Sequence, residues 1–226
     1  MRNAALVPSL LLLAASVLSA ASDESEPAAG QIRLMFTHTE GYAVEEKVTS
    51  GTNYDWQDDD AGAFGGGLQY IVPISTDPRP LIWGFEVMYQ RTEVEPDGYS
   101  GGFNNTDSET FEYSTLTLGG IFGWRFTQPL SARIDLIGEF QAMAGVTALS
   151  GQISDDTGGS DSGIGYGLDG SVRMLLGLQE SGWMAAVSVG ARGGYATLDL
   201  DHQSYTSELT LDRSGLEIAL FLGMDL

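Results

Sequence analysis

The sequence GLEIALFLGMDL at residues 215–226 indicates the fold, because a continuous apolar face alternates with a face of mostly small or polar residues. Alternation of this kind places successive side chains on opposite faces of a β-strand. One face of this strand carries Glu217, Gly223 and Asp225 among its residues, whereas the other is continuously apolar. An apolar face about ten residues long is typical of a transmembrane β-barrel, whose outer surface contacts lipid. That face consists of Leu216, Ile218, Leu220, Leu222, Met224 and Leu226.

The same alternation recurs through the chain. We count eight such segments, an even number, as expected for a closed antiparallel barrel. The sequence therefore predicts an all-β fold, an eight-stranded antiparallel up-and-down transmembrane β-barrel over residues 31–226. Besides the last strand, the segments are 81–90, 132–146, 164–178 and 183–195, and, with a weaker pattern, 31–39, 63–72 and 113–126.

The connections between these segments alternate in length. In outer-membrane barrels the long loops are extracellular and the short turns are periplasmic. We therefore predict that both chain termini are periplasmic. The long links are 40–61, 93–110, 148–162 and 197–210, and the short ones are 73–80, 127–130 and 179–182.

The N-terminal residues have the pattern of a secretory signal. Arg2 supplies a positive start, residues 4–17 form an apolar stretch, and Ser19-Ala20-Ala21 offers small residues for cleavage. We predict a signal peptide over residues 1–21 and a disordered acidic tether over residues 22–30. Export together with a barrel pattern predicts a location in the bacterial outer membrane.

Composition excludes several classes of function. The chain has 31 acidic and 10 basic residues, a net charge of −21 and no cysteine. A chain this acidic would repel phosphate backbones, so we expect no nucleic-acid partner. The absence of cysteine excludes thiolate chemistry, and we predict no cofactor. The acidic loops are expected to form a solvated negative surface, with weak candidates for binding Ca²⁺ or Mg²⁺ at Asp58, Asp59, Asp60, Asp155 and Asp156.

The type of aromatic residue differs between the short turns and the long loops. Tryptophans on the presumed lipid-facing side lie beside the short turns, whereas other aromatic residues on that side lie near the long loops. Two aromatic girdles, one at each membrane interface, produce this arrangement. The predicted girdle residues are Phe64, Trp83, Tyr89, Trp124, Tyr166, Trp183 and Tyr195.

Charged residues also fall on the side of the strands that faces inward. An eight-stranded barrel is so narrow that side chains fill it, and a buried charge without its partner is destabilising by about 3–5 kcal/mol. We therefore predict a packed, ion-paired lumen, with a proton or ion path as the alternative. Its predicted members are Arg33, Glu86, Arg125, Arg133, Asp135, Glu139, Asp169, Arg173, Arg192 and Glu217.

A signal peptide, eight amphipathic strands and an apolar C-terminal strand together resemble the small outer-membrane barrels of the OmpA/OmpX-like superfamily. The resemblance implies insertion by the barrel-assembly machinery through the C-terminal strand. It also implies contact with outer-membrane lipids and lipopolysaccharide, and we expect a monomer. One departure is the C-terminal residue, which is usually an aromatic in that superfamily and is Leu226 here.

The function predicted from these features is that of a non-enzymatic outer-membrane barrel, either an envelope structural element or a surface adhesion or binding scaffold with acidic extracellular loops. A narrow channel is one alternative. Another is a lipid A deacylase, because His202, Ser204 and Glu217 are similar to the His-x-Ser pair and later glutamate of those eight-stranded enzymes. Tyr205 departs from that pattern, in which asparagine usually follows the serine, and Glu217 falls on the lumenal side.

Overall fold

A computed structural model of the chain describes residues 30–50, 56–74, 80–94, 110–154, 160–201 and 206–226. The predicted signal peptide and residues 22–29 of the predicted tether lie outside these ranges, and both remain predictions. Within the described ranges, no helix has the length and apolar character needed to cross a membrane.

Nine antiparallel strands form one closed ring. Each strand from β1 to β7 pairs with the next along the chain, and β8 and β9 both pair with β7 on one side and with β1 on the other. Strands β8 and β9 thus share one position in the ring, and we call each such position a stave. The ring has eight staves, so the predicted eight-stranded up-and-down barrel is confirmed. The strands are β1 Gln31–Ser50, β2 Trp56–Pro73, β3 Leu81–Val94, β4 Thr110–Pro129, β5 Ile134–Ser154, β6 Ser160–Glu180, β7 Trp183–Asp201, β8 Thr206–Asp212 and β9 Gly215–Asp225.

The eighth stave is interrupted only at residues 213–214. The Arg213 amide donates a hydrogen bond to the Gly194 carbonyl at 2.8 Å, so the chain stays attached to β7 across the break. Across the barrel seam, the register between β1 and this stave shifts by one residue, and Gly41 has a φ of +84°. A residue with a side chain rarely adopts that φ, so glycine allows the bulge.

The strands are longer than the alternation of the sequence indicates. They continue through much of the segments predicted as loops, and the described strand ends leave only residues 51–55, 95–109, 155–159 and 202–205 between them. Toward these strand ends the outward residues are polar, as at Glu45 and Asp199, whereas the pairing of the backbone with neighbouring strands continues. The apolar alternation therefore ends where the lipid-facing surface ends, and the strands extend further.

The opposite end of the barrel has the short connections. Ser181 and Gly182 link β6 to β7, and both have positive φ, as the tight type I′ hairpin turn requires. Residues 130–133 link β4 to β5, and Gln31 and Asp225 lie at this same end, which we call the turn end. The other end is the loop end.

The outer face of the ring is apolar. On β9 the outward side chains of Leu216, Ile218, Leu220 and Leu222 are each half exposed, and every other stave has at least one exposed outward apolar side chain. Soluble monomers rarely expose a continuous apolar band of this kind, which needs lipid to cover it. The inward face holds the buried charged residues together with clusters of buried apolar ones, so at the depth of the apolar band the charges lie inside the barrel.

The apolar band predicts a depth-dependent response to charge. We expect Leu220→Arg to lower the free energy of unfolding in lipid by about 2–4 kcal/mol, because it places a charge in the hydrocarbon layer. Thr210→Arg on the same stave, beyond the apolar band, is the matched control and is expected to change it by less than about 1 kcal/mol. Urea unfolding in liposomes measures both, and equal losses would contradict a membrane-embedded band.

Candidate functional site

The turn-end half of the lumen is organised around the Glu139 carboxylate. Arg33 donates to it through both terminal nitrogens, at 2.7 and 2.6 Å, and Arg125 Nε donates at 2.6 Å. Gln141 adds a fourth hydrogen bond at 2.6 Å. Four donors from three strands therefore converge on one buried carboxylate, which provides the full pairing that a buried charge needs.

A second cluster lies nearer the middle of the lumen. Arg173 bonds Glu86 at 2.8 Å and also approaches Glu217, with an N···O distance of 3.3 Å. Arg192 then bridges Glu217 at 2.5 Å and Asp169 at 2.9 Å. The resulting chain of alternating charges crosses from β3 to β6, β9 and β7. All five side chains are buried.

Arg213 is a fifth lumenal arginine that the sequence analysis did not include. It lies at the break between β8 and β9, is fully buried, and bonds Asp169 at 2.8 Å and Gln90 at 2.7 Å. Its guanidinium also lies 5.7 Å from the centre of the Tyr42 ring. The inward parity of Glu217, extended back along the chain, places Arg213 inside, but Arg213 falls between the predicted loop 197–210 and the last predicted strand.

The prediction that Arg133 lies in the lumen was wrong. Residues 130–133 form the turn between β4 and β5, and Arg133 is exposed there because β5 begins only at Ile134. Asp135 has the inward parity but is half-buried near the turn end, outside the ion pairs formed by the described residues. The described lumen thus buries Arg33, Arg125, Arg173, Arg192 and Arg213 with Glu86, Glu139, Asp169 and Glu217.

Toward the loop end the polar lumen gives way to an apolar plug. The inward side chains there are almost fully buried against one another, and the hydroxyl of Tyr42 donates to Gln90 at 3.0 Å, joining the plug to the polar network. Side chains therefore fill the described lumen at this end, as expected for a barrel of eight staves. The plug consists of Tyr42, Val44, Ala61, Ala63, Tyr113, Leu149, Ala196, Leu198, Leu209 and Leu211.

Of the three residues of the alternative hydrolase site, only Glu217 lies within the described residues. It is buried in the lumen between Arg173 and Arg192, and the break at residues 213–214 leaves its inward orientation unchanged. His202 and Ser204 lie outside the described residues. A carboxylate held by two arginines inside the barrel is poorly placed to orient a histidine on the lipid-facing surface.

The candidate metal ligands are not described by the structure. The backbone of Asp58, Asp59 and Asp60 lies in β2, but their side chains are outside the described set, and Asp155 and Asp156 lie in an undescribed segment. Among the described side chains, no group of three or more potential ligands is close enough together to hold a metal ion. Metal binding by the acidic loops therefore stays a prediction.

All seven aromatic residues assigned to the girdles face outward and are exposed. Trp83, Trp124 and Trp183 lie within a few residues of the turn end of their strands. Phe64 stacks on His38 with ring centroids 4.2 Å apart, and Tyr89 bonds Ser114 at 2.8 Å. Tyr166 and Tyr195 are also exposed on the outer face, further toward the loop end.

The cluster around Glu139 predicts a large effect of one substitution. We expect Glu139→Gln to lower the free energy of unfolding by about 3–5 kcal/mol, because two buried arginines lose their shared counter-charge. The matched control is Glu112→Gln, which removes the half-exposed ion pair with Arg91 and is expected to change it by at most about 1 kcal/mol. Urea titration measures the free energy of unfolding of both variants, and similar losses for the two would contradict the assigned role of Glu139.

Only solved structures match the chain, and these matches concern its fold. No protein-family model matches the chain, and no curated protein does. Among solved structures, the outer membrane protein OprG from Pseudomonas aeruginosa matches with a TM-score of 0.50 and 11% identity, over 88% of this chain and 97% of that one.

Two further structures match less well. The outer membrane protease OmpT from Escherichia coli matches with a TM-score of 0.46 and 8% identity, over 91% of this chain and 99% of that one. The attachment invasion locus protein Ail of Yersinia pestis matches with a TM-score of 0.30 and 15% identity, over 84% and 99% of the two chains. With the closed ring and the apolar outer face, the match to OprG shows the fold: the chain has the fold of a small outer-membrane β-barrel.

Proposed function

We propose that the protein is a non-enzymatic outer-membrane barrel that serves as an envelope structural element or as a scaffold for binding at the cell surface. The observation that carries the proposal is the filled lumen. Ion pairs occupy its middle and turn-end parts, and an apolar plug occupies the loop end. The described part of the lumen leaves no room for a substrate, so we expect the function to reside on the outer surface and loops.

The orientation follows from the lengths of the connections. Short turns suit the periplasmic side, and the strand extensions and longer connections suit the outside. In this orientation the acidic residues of the loop end face the cell exterior, near lipopolysaccharide, whereas the termini face the periplasm. We further propose that the chain is a monomer and that β9 is the strand recognised by the barrel-assembly machinery.

The filled lumen predicts that the barrel does not conduct. We expect ion conductance at background level when the full barrel is reconstituted into planar lipid bilayers, because both the ion-paired network and the plug obstruct the path. A general porin reconstituted in the same way provides the positive control. Discrete conductance steps well above background would support the channel alternative and contradict the proposal.

The loops are the expected carriers of surface binding. Residues 95–109 contain Tyr99, Phe103 and four acidic residues, and they connect Val94 to Thr110. Replacing residues 95–110 with Asn-Gly leaves Val94 and Phe111 directly before and after a two-residue turn, which keeps their pairing. For a binding scaffold we expect bacteria that express this variant to adhere less to immobilised matrix proteins than bacteria with the intact chain. For a structural element we expect adhesion to be unchanged and periplasmic enzymes to leak only when the protein is absent.

The same cells also test the enzyme alternative. A mass spectrum of their lipid A is expected to be unchanged by expression of the barrel. If lipid A instead lost an acyl chain, and His202→Ala restored it, the non-enzymatic proposal would be overturned.

A further inference from the structure

We propose that the outer face of the barrel binds one phospholipid with a phosphoethanolamine headgroup. Its acyl chain would lie in a groove over Ala185, and its headgroup would lie between Arg133 and Glu180. This site goes beyond the function proposed above and does not depend on which end of the barrel faces the periplasm.

The groove arises from a small residue in a row of large ones. Ala185 on β7 lies directly opposite Leu178 on β6 and Leu222 on β9. All three face outward, so the missing bulk at Ala185 leaves a depression walled by leucines. Leu136 and Val187 extend it, and its volume is about 610 Å³. That volume falls within the range of ~300–1,000 Å³ that is typical of small-molecule sites.

One row of outward residues separates the groove from the turn end of β6 and β7. This row contains Ile134, Glu180 and Trp183, which are paired in that order across β5, β6 and β7. Trp183 is 64% exposed. An amphipathic indole is typical of headgroup depth. We therefore place the headgroup level at this row and the groove in the adjoining hydrocarbon layer, where an acyl chain lies.

Two opposite charges lie in or next to this row. Arg133 precedes Ile134 in the exposed turn, and Glu180 lies directly opposite Ile134. Both side chains are exposed, and neither takes part in the ion pairs found among the described residues. A guanidinium matches the phosphate of a lipid headgroup, and a carboxylate matches a primary ammonium that can donate hydrogen bonds to it.

This pair of charges selects among headgroups. A phosphocholine group has no N–H to donate to Glu180, and a phosphoglycerol group offers no cation. The net charge of the chain, −21, also disfavours an anionic lipid. The phosphoethanolamine headgroup alone among these three supplies both complementary charges and the donor.

The test uses the purified full chain in detergent, mixed with equal amounts of phosphatidylethanolamine, phosphatidylcholine and phosphatidylglycerol that carry the same acyl chains. Native mass spectrometry then counts the lipids retained on the folded barrel. We expect one phosphatidylethanolamine adduct, about tenfold more abundant than the other two, which is the preference that one charge-assisted hydrogen bond supplies.

Variants separate the acyl groove from the headgroup contacts. Ala185→Leu fills the groove and is expected to abolish the single adduct. Ala191→Leu, at an exposed outward alanine of the same strand outside the groove, is the control and is expected to retain it. Glu180→Gln is expected to remove the preference over phosphatidylcholine, and Arg133→Gln to weaken the adducts of all three lipids. A gel-mobility shift on boiling verifies that each variant is folded.

Three results would overturn the proposal. If Ala185→Leu left the adduct unchanged, the groove would not be the site. If the three lipids were retained equally, Arg133 and Glu180 would not select the headgroup. If phosphatidylglycerol were retained most, the Glu180 carboxylate would have no part in selection.

Discussion

The structure depends on one constraint, which is that a strand in hydrocarbon must hydrogen-bond along both of its edges. Lipid offers no partner to a free N–H or C=O group, so the sheet has to close on itself. Closure is made by β1 and β9, which pair from Gln31 with Asp225 to Glu40 with Leu216. The only break in the closing stave lies at residues 213–214, and there the Arg213 amide bonds to β7.

Closure also creates the interior and dictates what fills it. With eight staves the lumen is narrow, so inward side chains from opposite walls meet directly. Arg33 and Glu139, for example, are 106 residues apart in the chain and form two hydrogen bonds across the lumen. Space is so limited that a Cβ added at Gly119 would lie 2.4 Å from the Met143 sulphur. A larger residue at that position would require the Met143 side chain to move.

Because the described residues fill the interior, we propose that the outer surface is the part that interacts with other molecules. The described surface has three zones with different chemistry: acidic strand extensions at the loop end, an apolar band, and the turn end with its tryptophans and exposed Arg133. We propose binding at the cell surface for the first zone and lipid selection for the boundary between the other two. The barrel holds these zones at set distances from one another.

The sequence by itself determined which residues face inward and which face outward, because alternation is a local property of each strand. The parity of Leu216 to Leu226, and of the aromatic girdle residues, could be read directly. Tertiary structure alone decided which inward residues meet, since pairs such as Arg33 with Glu139 depend on the stagger of strands far apart in the chain. It also placed Arg133 in a turn and Arg213 in the lumen, because strand ends follow backbone pairing, which continues beyond the apolar pattern.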